Sequence, residues 1–200
     1  MPLDASIQLG IRHLRKIDPI MRKVIRKAGP FKLNRRNDRF HALALAIVSQ
    51  QISGKAARSV WTKLKTIASP LSPERILELP IEELRKAGLS RQKASYLLDL
   101  ANHVCDGRLQ LNRIGRRSDE EVIETLVAVK GIGLWTAQMF LIFSLGRLDV
   151  LPHADLGLRT AMQRLYDLDE LPDRETCYRI AEPWRPYASI ATWYCWRSLE

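Results

Sequence analysis

Residues 129–155, VKGIGLWTAQMFLIFSLGRLDVLPHAD, hold two features whose types and spacing could do chemistry. One is the turn Gly131-Ile132-Gly133; the other is an aspartate, Asp155, 22 positions after the second glycine. Two glycines allow the backbone to take positive φ and to approach a ligand with no Cβ in the way. A helix opening at Leu134 would aim its unpaired N–H groups and the positive end of its dipole at that turn, an arrangement suited to a phosphate. A plain loop between packed helices explains any single turn of this kind equally well, so context decides. A carboxylate such as Asp155 can steady a developing positive charge and orient or deprotonate a water. It can also cap a helix, because Leu156-Gly-Leu-Arg-Thr-Ala-Met-Gln-Arg reads as a helix directly after it. The two roles are compatible, since a carboxylate at a helix N-terminus stays ionised, as such chemistry requires.

The elements that must position these residues are helical. Ser118-Asp-Glu-Glu121 has the capping-box pattern and opens an apolar helix through Val122, Leu126 and Val129, so the glycine turn joins two helices. Apolar spacing predicts helices near 4–16, 19–28, 39–52, 54–68, 73–79, 81–87, 91–106, 119–129, 134–145, 156–166, 174–182 and 187–198. No segment alternates apolar and polar residues as a strand would, and no repeat is present. An all-α chain follows. Gln50-Gln51 ends the apolar run 40–49 and Ser53 is placed to cap the next helix, which puts an amide pair at an exposed helix junction.

Composition narrows the partners. Two hundred residues suffice for one domain or two small lobes with a sizeable core. A net charge of +10 favours a polyanion and speeds its encounter with the protein. The basic residues are dispersed; those of the first helices, including Arg15, Lys16, Arg22, Lys23, Arg26 and Lys27, alternate with apolar residues as on a solvated helix face. Cys105, Cys177 and Cys195 have neither the spacing of a zinc site nor that of a four-cysteine iron–sulfur loop. Their odd number and the absence of a secretion signal point to a reduced, cytoplasmic protein, nucleoid-associated in a prokaryote, and no stretch is long enough to span a membrane.

The hairpin, continued through Asp149-Val-Leu-Pro152 to Asp155, resembles the helix-hairpin-helix (HhH-GPD) glycosylases of base-excision repair, and within them the AlkA-like 3-methyladenine DNA glycosylase II branch. Leu126, Gly131, Ile132, Gly133, Trp135, Thr136, Ala137, Pro152 and Asp155 match that branch's pattern in order. Three further stretches are similar to its motifs: IVSQQISGKAA over 47–57, Gly88-Leu-Ser-Arg-Gln-Lys-Ala94, and Trp184-Arg-Pro-Tyr187 with Ala191 to Trp196 after it. The resemblance covers about residues 38–198.

What the resemblance implies is specific. The fold is a two-lobed, all-α glycosylase unit over residues 1–200, with the hairpin motif at about 119–145, an interlobe cleft facing DNA, and no room for the extra N-terminal β-domain of some relatives. Gln51, with Gln50 beside it, fills the gap left by an extruded base. Lys130, Gly131, Ile132, Gly133 and Thr136 hold DNA phosphate, and the carbonyls of Val127, Val129 and Ile132 hold a structural Na⁺ or K⁺; no other cofactor is required. Trp135, Met139, Tyr187 and Trp193 line the base pocket, where aromatic faces attract a cationic alkylated purine. Asp155 is the catalytic carboxylate.

The implied activity is hydrolysis of the N-glycosidic bond of flipped-out 3-methyladenine or 7-methylguanine in double-stranded DNA by a monomer, leaving an abasic site. Strand-cleaving relatives place a Schiff-base lysine where this chain has Leu134-Trp135, so no lyase step is expected. Lys130 replaces the usual proline before the hairpin, Met139 stands where a relative has tyrosine, and Ala154 replaces a second acid. Two alternatives stay open: a glycosylase for mismatched or deaminated bases, and a noncatalytic module that binds damaged DNA.

Overall fold

A computed structural model describes residues 3–200, and no strand occurs among them. Twelve α-helices follow in order: α1 (Leu3–Ile17), α2 (Pro19–Ala28), α3 (Arg39–Ser49), α4 (Gly54–Ile67), α5 (Pro73–Glu78), α6 (Ile81–Lys86), α7 (Arg91–Cys105), α8 (Asp119–Val127), α9 (Leu134–Phe140), α10 (Leu156–Leu165), α11 (Arg174–Ala181) and α12 (Ala188–Arg197). Short 3₁₀ turns lie at Ile114–Arg116 and Glu182–Trp184. Most helix starts are set by a short polar side chain that accepts a first-turn amide: Asp18, Asp38, Ser53, Ser72, Ser90, Ser118, Asp155 and Asp173. At α8 the cap is reciprocal, with the Glu121 carboxylate accepting the Ser118 amide.

Two predicted helices differ from the observed ones. The helix expected over 39–52 stops at Ser49, because Gln50 leaves the helical region at ψ 133° and Gln51 follows with a left-handed φ of 54°. The helix expected over 134–145 is α-helical only to Phe140 and continues as a π turn at Leu141–Leu145, a wider winding that rotates the residues after it.

The chain divides into two compact units. One comprises Arg36–Phe140. In it α3, α5 and α6 pack on α7, and α9 packs on both α8 and α3. Leu43, Ile47, Leu64, Leu97, Leu100 and Leu126 are fully or almost fully buried there; each such side chain contributes roughly 1.5–3 kcal/mol relative to exposure.

The other unit combines the chain up to Arg35 with Leu141–Glu200. Here α12 packs against α1, α2 and α10 around Leu14, Met21, Met162, Trp184 and Tyr194. The Asp18 carboxylate, the cap of α2, lies inside this core. It accepts hydrogen bonds from Trp184 Nε1 at 3.0 Å and Tyr166 Oη at 2.5 Å in addition to the Ile20 and Met21 amides. A buried carboxylate is tolerated when its oxygens are satisfied in this way. Burial, with Asp18 beside it, pushes the Tyr166 phenol well above the usual tyrosine range.

Candidate active site and nucleic-acid interface

The hairpin belongs to the unit Arg36–Phe140. After α8 the Val129 amide donates to Leu126 O and the Ile132 amide to Val129 O, both at 3.1 Å, which closes a tight turn. Ile132 and Val129 are buried and anchor it, whereas Gly133, Leu134 and Trp135 are exposed; Trp135 is 48% exposed. Only one of the two glycines needs to be glycine for conformational reasons. Gly131 has φ +82°, and a Cβ there would lie 2.1 Å from Cδ2 of Tyr96. Gly133 is outside the left-handed region and a Cβ on it would meet nothing within 4 Å, so of the two glycines only Gly131 uses the positive φ that the pair allows.

The remaining hairpin residues divide between solvent and core. Lys130 donates its amide to Asp99 Oδ2 at 2.8 Å, and its ammonium, on a side chain that is 75% exposed, stands 4.0 Å from Asp99 Oδ1 in a loose ion pair. Thr136, expected to reach phosphate, is buried on the inner face of α9, because residue 136 falls on the side of that helix turned to the core with Ala137 and Phe140. Its side chain is turned away from the surface that the expected phosphate contact requires. Met139 is half-buried on the same helix. Val127 is exposed, and the Val129 carbonyl, already accepting one amide, retains a second lone pair. Uncharged backbone carbonyls are the donor type that a hard cation takes.

Gln50 and Gln51, paired in the sequence reading, have different environments. Gln50 Nε2 donates to Gly131 O at 2.7 Å, which engages the side chain with the hairpin. In this structure the Gln50 amide is a structural tie, whereas the wedge role expected of the pair calls for an amide projecting from the surface. Gln51 is exposed, with the left-handed φ of 54° that non-glycine residues adopt only at some cost. Lys93 donates its ammonium to Val48 O at 2.8 Å and Gln50 O at 2.6 Å, capping the last turn of α3. Burial lowers the Lys93 pKa from the usual lysine value. A groove of about 410 Å³ opens beside this junction, lined among others by Gln51, Ile52, Ser90, Lys93 and Tyr96.

Asp155 belongs to the other unit. The segment leading to it is stapled to the start of α12: Ser189 Oγ accepts the Val150 amide at 2.9 Å, and the Ser189 amide donates to Leu148 O at 2.9 Å. Asp149 adds a contact to the Ala188 amide at 3.3 Å and an ion pair with Arg185 at 3.0 Å. The Asp155 amide then donates to Pro152 O at 2.8 Å, and the carboxylate caps α10. Its Oδ1 accepts the Leu158 amide at 2.7 Å and the indole N–H of Trp196 at 2.8 Å. Both donors lie on one oxygen, which fixes the plane of the carboxylate. Gly157 makes this close approach possible, because a Cβ there would lie 3.1 Å from Oδ1 and 3.2 Å from the Trp196 ring. Phe143, on the π turn, stacks on Trp196 with centroids 6.0 Å apart and planes 19° apart. An oriented carboxylate beside stacked rings can stabilise a developing cation and hold an attacking water.

Trp196 and Phe143 are the residues that the sequence reading missed. The two aromatic residues it chose in this unit have other neighbours. Trp193 packs on Phe31 and, edge-on, on Tyr194, each at 4.9 Å, with the Arg197 guanidinium 5.8 Å from its ring centroid. Tyr187 packs against α1, where a Cβ on Gly10 would come within 2.7 Å of its ring, and lies beside His13. Both rings are thus accounted for by packing around the core. His153 packs on Tyr178 with centroids 5.4 Å apart and rings tilted by 38°, and its Nδ1 is buried with no hydrogen-bond partner. Burial, with the nearby Arg174 charge, lowers its pKa.

Residues 44–186 match the family described as HhH-GPD superfamily base excision DNA repair protein. The chain belongs to that superfamily. The match includes the Gln50-Gln51 junction, the hairpin and Asp155, while Trp193 and Trp196 lie beyond it. DNA-3-methyladenine glycosylase 1 of Schizosaccharomyces pombe is 32% identical over 195 residues, covering 94% of this chain and 86% of that protein. The Bacillus subtilis relative YfjP is 38% identical over 128 residues, but the match covers only 45% of its length. Among solved structures, the S. pombe 3-methyladenine DNA glycosylase Mag1 in complex with abasic DNA superposes with a TM-score of 0.85 at 32% identity, covering 94% of this chain and 95% of that one. The all-helical HhH-GPD fold is therefore shared over nearly the whole chain. No helix among the described residues is long and apolar enough to cross a membrane.

Proposed function

We propose that this chain is a monofunctional DNA glycosylase of base-excision repair. It hydrolyses the N-glycosidic bond of flipped-out alkylated purines, 3-methyladenine and 7-methylguanine, in double-stranded DNA and leaves an abasic site. The observation that carries the reading is the held carboxylate: Asp155, oriented through Oδ1 by Leu158 and Trp196. A relative named for 3-methyladenine and a structural neighbour bound to abasic DNA support the substrate class.

An alkylated purine carries a positive charge and leaves as a neutral base, taking the electron pair of the C1′–N bond. The sugar is left oxocarbenium-like, and a fixed carboxylate stabilises it more than it stabilises the ground state. Water adds at C1′ and its proton passes to Asp155 or to solvent. Gln51, exposed at the helix junction, fills the stack after extrusion, and Trp135, exposed at the start of α9, offers a π-face to the cationic base, with Met139 behind it on the same helix. Lys130 and the backbone of Gly131 to Gly133 grip a phosphate, and the carbonyls of Val127, Val129 and Ile132 would hold a monovalent cation against it without entering the chemistry. No lyase step is expected, since Trp135 offers no amine. The site of action is the cytoplasm, where the chromosome of a prokaryote lies.

The test is release of free base from a methylated duplex. Asp155→Asn should lower single-turnover excision by about 10²-fold or more, the scale of a lost transition-state electrostatic group, while still binding DNA that contains an abasic-site analogue. Equal turnover by wild type and variant would remove Asp155 from the chemistry.

A further inference from the structure

Helix α7 carries three residues at successive turns, Lys93, Tyr96 and Asp99, that touch both DNA-facing features of their unit. Lys93 caps the α3 carbonyls of Val48 and Gln50 at 2.8 and 2.6 Å. Tyr96 lies against the hairpin glycine so closely that Gly131 admits no Cβ. Asp99 accepts the Lys130 amide at 2.8 Å. Gln50 closes the circuit, its backbone oxygen taking the Lys93 ammonium and its side chain bonding Gly131 O at 2.7 Å. The spacing i, i+3, i+6 places all three on one side of one helix, so the contacts share a rigid support.

We propose that Lys93 is a positioning residue for base extrusion: by clamping the end of α3 it holds Gln51 in its left-handed turn and fixes that turn against the hairpin. The proposal rests on the reading of Gln51 as the residue that fills the vacated stack. The geometry gives the reason for a lysine at this place. After Ser49 the helix leaves carbonyls with no intrahelical donor, and an ammonium on a long stem can satisfy two of the carbonyls at this end at once. Without that donor, the strained φ at Gln51 is opposed only by the Gln50 tie to Gly131 O and the turn relaxes more readily. Lys93 acts through Gln51 and so affects extrusion, leaving the bond-breaking step at Asp155 untouched.

The experiment compares single-turnover excision of one alkylated base in two contexts, paired in a duplex and unpaired in a bulge, where extrusion costs less. Lys93→Met should lower the paired rate by about tenfold or more and the bulged rate by less than about threefold, with the Gln51→Ala variant showing the same selectivity and the double variant no larger loss than either single one. Lys93→Arg, which keeps donors for the carbonyls, should recover most of the paired rate. If Lys93→Met does not fold, Gln50→Leu, which breaks the tie to Gly131, repeats the test from the other end with the same expected selectivity. Equal losses on both substrates, or no loss, alongside a selective Gln51→Ala would overturn the positioning role and leave the wedge reading standing. A Gln51→Ala variant without selectivity would overturn the wedge reading and this proposal with it.

Discussion

The indole of Trp196 and the carboxylate of Asp155 form a 2.8 Å hydrogen bond between the last helix and the cap of α10, on the same oxygen that accepts the Leu158 amide. A helix cap alone leaves its side chain free to rotate about the cap bond; a second donor from a different helix removes that freedom. Trp196→Phe keeps the stacking surface toward Phe143 and deletes only the N–H. Excision of an alkylated base should fall by about 10- to 100-fold through a loss in kcat with little change in DNA affinity, the range seen when a reacting group is displaced by an ångström or less. A loss confined to affinity would place Trp196 in binding and refute the positioning argument.

The two hairpin glycines separate stability from grip. Gly131→Ala introduces a Cβ at φ +82° and within 2.1 Å of the Tyr96 ring, so the variant should lose several kcal/mol, about 2–4, read as a lower midpoint in urea. Gly133→Ala should fold with wild-type stability to within about 0.5 kcal/mol, because its Cβ meets nothing within the protein. Its effect should fall on DNA affinity, similarly for every lesion, if the backbone there approaches a phosphate. A destabilised Gly133→Ala protein would contradict the geometry.

His153 supplies a pH prediction. Burial and the Arg174 charge lower its pKa from the ordinary value of 6.5, so the unfolded chain binds a proton that the folded one resists. The contribution to stability is complete above about pH 6.5 and is lost as pH falls below that value, because there the unfolded state gains protons first. Unfolding free energy measured between about pH 7.5 and 5 should therefore decline less steeply in His153→Gln than in wild type. Parallel slopes for the two proteins would exclude His153 as the titrating group.

The caps, the helix-turn-helix about Gly131 and the carboxylate at Asp155 were legible in the sequence because each depends on neighbours within a few residues. What was not legible depends on rotation about a helix axis or on distant packing. Trp193 and Trp196 lie three residues apart on α12, and nothing in their spacing says which indole meets Asp155 and which packs on Phe31. Thr136 follows two exposed residues, yet it turns inward with the core face of α9. Gln50 and Gln51 are identical in type and adjacent, and only the partner at Gly131, 81 residues away from Gln50, distinguishes the tie from the exposed amide. Phe143 comes to Trp196 on a π turn that no apolar periodicity foretells.

Trp135 gives the test of lesion choice. It is the second residue of α9 and 48% exposed, an unusual state for so large an apolar ring next to a sharp turn. An indole face attracts a cation by about 0.5–2 kcal/mol, and a neutral base gains only the stacking part. Trp135→Ala should therefore slow excision of cationic 7-methylguanine by about 2- to 30-fold more than excision of neutral hypoxanthine, measured at single turnover with saturating protein. Because about half of the side chain is buried, the thermal midpoint should fall, so the comparison is made at a temperature where both proteins are folded. An equal loss on both bases would mean that Trp135 provides shape alone and that the preference for charge arises at the Phe143–Trp196 stack beside Asp155, which Phe143→Leu would then reveal by the same ratio.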